Sequence, residues 1–415
     1  MTFSAFSRCL KFSLGALCLA SGLSADETTM PVAIHGDMVY TMDGEPISDG
    51  LVLVRDGKIV FVGSAKDTFY TADHRVLRAK VVTPGLIDAR ATVGLSGIFN
   101  QDEDQDMLEK SAAMQPELRA IDAYNPRDPL VAYVRSFGIT TVNTGHAPGM
   151  LISGQTMVAK THGRTADEDA IKPDAMIAAS LGSSGTTSEA GKAPGTRSKA
   201  VALLRAELIK AQAYVKKRAA EDESKRPARD LRLETLARAL DGSQPLLITA
   251  HRQQDILSAI RVAKEFNLLI ILDGCSDAPL VLDEIKASGF PVILHPTMAR
   301  SFGDQENLSM ETAAKLKAAD IPFALQSGYE NYVPKTRIVL FEAAIAAANG
   351  LAFDDALACV TIDAAKLLGV ADRTGSITVG KDADLALYDG DLFEYTTHCI
   401  ATLIDGTVYP GEDYE

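Results

Sequence analysis

The sequence predicts an α/β fold: a (β/α)8 TIM barrel carrying a small composite β-sandwich made from both chain ends. Three observations predict it. Residues 31–80 alternate apolar and polar positions around Asp-Gly turns, with Asp56–Ile59 as a hairpin signal. Near the other end, Gly380–Gly390 and Ala401–Tyr409 repeat the same short-strand and turn chemistry. Between them, short apolar runs alternate with helical stretches, which is the pattern of a parallel sheet covered by helices. The boundaries that follow are a leader at 1–25, a composite sandwich at 26–80 and 372–415, and a barrel at 81–371.

Seven strands of the barrel are read at 81–88, 139–144, 175–181, 246–251, 268–273, 291–295 and 321–326, while the eighth has no clear place. Helices are expected over 198–220, over 255–266 and over 337–349. The second carries Ile256, Leu257, Ile260 and Ala263 on one side, and the third ends at Gly350, a glycine cap. The charged run 221–230 and the acidic run 102–106 read as solvated segments. The acidic run lacks the glycine and terminal glutamate of a calcium loop. Residues 183–188 read as a loop over the barrel mouth.

The first 25 residues have the order of a secretory signal. Arg8 and Lys11 precede the apolar run Phe12–Ala20, and small residues lead to a cleavage point near Ala25. That run is too short to span a bilayer, so the expectation is an exported protein, periplasmic or extracellular, with no membrane attachment after cleavage. The net charge of −14 becomes two units more negative once Arg8 and Lys11 are gone. So acidic a surface argues against nucleic acid and anionic membranes as partners. Cys275, Cys359 and Cys399 remain, too few and too scattered for a disulfide framework.

Several stretches together resemble the amidohydrolase superfamily, in its imidazolonepropionase-like branch. They are Asp56–Gly63, Pro84–Asp88, Gly138–Val142, Leu151–Gln155, Ala193–Arg197, Ala250–Ile256, Ile362–Val370 and Gly375–Asp391. The last is long and specific, and the set runs in order from about residue 31 to 410. The resemblance implies a barrel with a sandwich from both ends, hydrolysis of non-peptide carbon–nitrogen bonds, and one or two divalent metals at the C-terminal mouth that activate water. It also implies assembly into dimers or larger homo-oligomers.

Carried over residue by residue, the metal pattern fails at most positions. The first-strand His-x-His falls on Ala89 and Ala91, the sixth-strand His on Gly274 (or, with a one-residue slip, on Asp273) and the eighth-strand Asp on Gly328. His251 alone keeps its ligand position, and the fourth-strand bridging ligand has no clear place. Zinc catalysis needs about three protein ligands, so no cofactor is expected, and zinc only through a rearranged site. Three readings stay open. His251 or His295, oriented by Asp273, serves as base in a metal-free hydrolase. Alternatively His251, Asp273 and His295 form a new metal site. In the third, the mouth binds a small ligand without chemistry. His146, Gln155, Arg252, Gln326 and Tyr329 are the binding candidates, with Arg90 and Glu330 also on mouth-side segments. Cys275 reads as a buried thiol rather than a nucleophile.

Overall fold

The computed structural model describes residues 30–186, 194–329 and 338–411. The leader, and with it the expected signal peptide, lies outside the described residues, as do Glu330, Arg337 and part of the expected loop at 183–188.

Two sheets organise the chain. The first holds seven strands from both chain ends. These are β1 (Val32–Val39), β2 (Ile47–Arg55), β3 (Lys58–Ser64) and β4 (Arg75–Pro84), joined by the C-terminal three given below. The second sheet holds β5 (Leu86–Ala91), β6 (Ile139–Gly145), β7 (Ile152–Lys160), β8 (Ala170–Ser180), β9 (Leu246–Ala250), β10 (Ile270–Gly274), β11 (Val292–Leu294) and β12 (Phe323–Ala324). Then β13 (Leu385–Tyr388), β14 (Cys399–Ile404) and β15 (Thr407–Pro410) return to the first sheet, in the order β15-β14-β13-β4-β1-β2-β3. The chain ends thus share one hydrogen-bonded sheet, with its own apolar cluster around Ile34, Val52, Val82, Leu385 and Leu403.

The eight-stranded sheet curls almost shut. Ala89 donates to the Leu325 carbonyl at 3.2 Å, and Gly328 donates to the Arg90 carbonyl at 3.3 Å, so the first strand meets the segment after the last. It is not all-parallel, as the sequence had suggested. β7, the strand the sequence left unplaced, runs antiparallel to both β6 and β8. The reason is connection length: only six residues join β6 to β7, whereas a parallel return needs a crossover of about a dozen residues or more.

The expected strand at 81–88 is also two strands. β4 completes the first sheet and β5 opens the barrel, with Gly85 alone between them. Gly85 donates to the Asp384 carbonyl in one sheet, while Leu86 donates to the Gly138 carbonyl in the other. A Cβ at Gly85 would sit 2.2 Å from the Thr140 hydroxyl oxygen, so only glycine lets the chain cross at this spot.

Helices cover the barrel where apolar spacing puts them. Gln253–Phe266 buries Ile256, Ala259, Ile260 and Ala263, the i, i+3, i+4, i+7 stripe, and stops at Asn267 in the left-handed conformation. Arg197–Arg218 starts at Thr196, whose side chain accepts from the Lys199 N–H. The helix expected over 337–349 is described from Val339 to Ala348. Ile362–Leu368, from the quoted resemblance, packs Ala364, Ala365 and Leu368 against the barrel's interior cluster.

The two sheets are joined by buried charge. Lys160, at the end of β7, is buried and bonds Asp382 at 2.7 Å, Asp384 at 3.2 Å and Asp405. Lys58 and Arg373 also pair with Asp382, and His162 with Asp405. The Gly380–Asp391 stretch therefore owes its charged pattern to this junction, not to the barrel mouth.

Candidate functional site in the barrel mouth

Alternation along the strands decides which side chains enter the barrel. Ile87, Ala89, Val158, Leu247, Ile271, Ile293 and Ala324 form the interior cluster. Their sequence neighbours Ile248, Leu272, Leu294 and Leu325, and Val142 on β6, belong to the outer core under the helices. Continuing the inward parity towards the C-terminal ends brings Asn143, Thr249, His251, Asp273, His295 and Gln326 to the mouth. All six are buried.

The first strand breaks parity. Asp88 pairs with Val142 and Ala91 with Thr144, so β5 has one residue more than β6 across this interval, a β-bulge. Ala89 stays in the interior cluster, but Ala91 joins the outer one. Arg90 is the residue that the bulge turns into the mouth. It has 0% exposure, and it feels the charges of Asp273 and Asp88 and the Tyr329 hydroxyl. Its Nη2 donates to the His146 carbonyl, while Nε and Nη1 have no partner. The resemblance puts positions 89 and 91 together at metal-ligand positions, with Arg90 read only as lying on a mouth-side segment. The bulge, which the sequence does not announce, is what that reading missed.

The other groups are individually committed. His251 Nδ1 lies 2.9 Å from the Ser276 hydroxyl, and Nε2 lies 3.1 Å from both the Tyr329 hydroxyl and the Gln305 amide. Asp273 accepts from Thr249 at 2.5 Å and from Gln326 at 2.7 Å. His295 Nδ1 faces the Pro296 carbonyl at 3.1 Å and Nε2 has no partner, so His295 is not oriented by Asp273. His251 likewise takes its orientation from Ser276 and Tyr329. Two binding candidates leave the mouth interior. Gln155 faces outward, donating to the Pro116 carbonyl and accepting from Arg238 and Gln244. Arg252 sits on the rim, paired with Asp304 and Glu306. Cys275 is fully buried with its thiol pushed well above the ordinary range by desolvation, which removes it as a nucleophile.

The described residues of the mouth offer no grouping that fits a divalent metal. Among the described residues no group of three or more His, Cys, Asp or Glu side chains could hold one, so the rearranged His251–Asp273–His295 centre does not form. Gly274 shows why the family position cannot simply be refilled. Its φ is +88°, and a Cβ there would lie 2.5 Å from the His251 ring.

Burial sets the protonation of the mouth. His295 is pushed down to about 4 by desolvation and the nearby His251. His146 is pushed down to about 4 by desolvation and the Arg90 charge. Asp88 goes the other way, to about 7, through burial. A histidine held below its unfolded value stays neutral in the fold while the unfolded chain takes up protons. Its contribution is present above pH 6.5 and is lost as pH falls towards 4. Asp88 opposes this, losing stability as pH rises from 3.8 to about 7. With two histidines against one carboxyl, stability is expected to fall between pH 6.5 and 4.5. In His295→Gln that acid-side slope is expected to be shallower, as read by urea unfolding midpoints. An equal slope in the variant would contradict the assignment.

An eight-stranded barrel whose C-terminal mouth gathers buried polar side chains, closed against a sheet from both chain ends, is the class of fold that the chain adopts. Comparison with known proteins agrees. The family model described as "Amidohydrolase family" matches residues 327–410. An amidohydrolase structure from Thermotoga maritima superposes with a TM-score of 0.86 at 27% identity, covering 92% of this chain and 100% of that one. The Amidohydrolase tasK of Hapsidospora irregularis is 25% identical over 91% of this chain and 43% of its own length. An Imidazolonepropionase from Mesorhizobium japonicum is 45% identical over 56 residues, 14% of each chain. The chain thus spans less than half the length of these two curated relatives. In sequence and in fold it is similar to members of the amidohydrolase superfamily.

Proposed function

We propose that this protein is an exported, small-molecule-binding member of the superfamily whose mouth works without a divalent metal. The observation that carries the reading is the replacement of the first-strand ligand pair by two alanines and a bulge that delivers Arg90 instead. A cation fixed by the chain then stands among the mouth's polar groups. A second reading keeps turnover of a non-peptide carbon–nitrogen bond. It is favoured by the 3.1 Å contact of His251 Nε2 with the Tyr329 hydroxyl. Such a pair can pass a proton to or from a bound substrate.

Elemental analysis of the purified protein, a chelator challenge and a panel of cyclic imides, hydantoins and N-acyl amino acids test both. The expected result is substoichiometric zinc, iron and manganese, with thermal stabilisation by some panel member and no turnover. A full equivalent of metal that disappears in His251→Ala overturns the proposal. Turnover that survives the chelator but is lost in His251→Ala replaces it with the second reading.

A further inference from the structure

We infer that the mouth is built to take a small molecule bearing a single carboxylate, held by the Arg90 guanidinium; this rests on the metal-independent reading above. Arg90 is wholly buried, yet only Nη2 has a partner, and that partner is a neutral carbonyl. Among the described residues no carboxylate comes within ion-pair distance of it. Guanidinium cannot shed its proton inside a protein. A buried unpaired cation costs several kcal/mol, and an uncharged methionine would avoid that cost. The arrangement is therefore incomplete without a counter-charge.

The surroundings say what kind. Asp273 is the carboxylate whose charge Arg90 feels most, and its two oxygens are already engaged by Thr249 and Gln326. Its negative charge, and an acidic chain overall, disfavour a dianion such as phosphate. A planar monocarboxylate matches guanidinium donors. Neutral His295 keeps Nε2 unpartnered, and Ser180, the strand neighbour of Thr249, has a buried and unpartnered hydroxyl. These supply hydrogen bonds for the uncharged part of the ligand.

The test uses acid and amide pairs: acetate with acetamide, benzoate with benzamide, and N-acetylglycine with N-acetylglycinamide. Each is added at matched ionic strength to the full protein, with sodium chloride as control, and unfolding temperature is read. The expected result is that at least one acid stabilises while its amide and sodium chloride do not. In Arg90→Met the acid-specific shift is expected to vanish, with affinity at least about tenfold weaker. The ligand-free unfolding temperature should be unchanged or higher, because the unpaired charge is gone. A merely structural arginine would instead lower it. Arg90→Gln serves if Arg90→Met does not fold. Stabilisation that is equal for acid and amide, absent throughout, matched by sodium chloride, or retained in both variants overturns the inference. Metal content of the same preparation keeps the two proposals apart. Metal-free protein without acid preference sinks this one alone, and a full equivalent of metal with the acid preference intact sinks the earlier one alone.

Discussion

Lys160→Met is expected to lower stability by about 3–5 kcal/mol, the range for removing one partner of a buried ion pair. Lys160 is buried at the junction of the two sheets and reaches three carboxylates, Asp382, Asp384 and Asp405. Without the ammonium, these acids face one another with Lys58, Arg373 and His162 as their cationic partners among the described residues. Asp384 is already raised by burial and is held in check by Lys160. In the variant its pKa rises further. An acid with a raised folded pKa contributes stability that is lost as pH increases. The deficit relative to the parent should therefore be larger at pH 8 than at pH 5. Urea unfolding at the two values checks this. A deficit under about 1 kcal/mol, as for a surface pair, or one independent of pH, would mean that the junction does not depend on the charge.

The second large effect concerns the sixth-strand position. Gly274→His is expected to destabilise by about 2–4 kcal/mol, from a non-glycine residue at positive φ and from overpacking. The backbone there has a φ of +88°, and the new Cβ would lie 2.5 Å from His251 Cε1. Adding His251→Gly should relieve the overlap but not the backbone strain. A double-mutant cycle in urea is expected to show a favourable coupling of about 1–3 kcal/mol. Strict additivity would show that the two positions do not compete for the same space. Neither variant is expected to gain zinc. Position 328 also sits at positive φ, and position 91 faces the outer core.

Much of the architecture was legible because it rests on periodicity. The seven apolar runs became strands, and the stripe Ile256–Ile260–Ala263 became the buried face of a helix. What escaped has a physical reason in each case. β7 carries inward and outward buried residues alike, all nine of them buried, so it shows no alternation to read. Gly85 splits one apolar run because a backbone approaches Thr140 there, and that neighbour is 55 residues away along the chain. In the mouth, His251, Asp273, His295 and Gln326 were legible from strand ends. Gln155 was misassigned because it sits on the reversed strand and faces the helix Leu231–Leu240. Arg90 was legible as a mouth-side residue but not as its central cation, since a bulge depends on the register between two strands.

That bulge acts as a phase shift. The side chains of β5 beyond Ala89, those of Arg90 and Ala91, read out on the opposite face from the one their position numbers imply. Histidines written back at 89 and 91 would point in opposite directions, one into the barrel and one under the helices. A centre on this strand is therefore governed by the spacing of the chain as much as by its letters. Shortening β5 by one residue at the bulge would exchange the roles of its two faces in a single step.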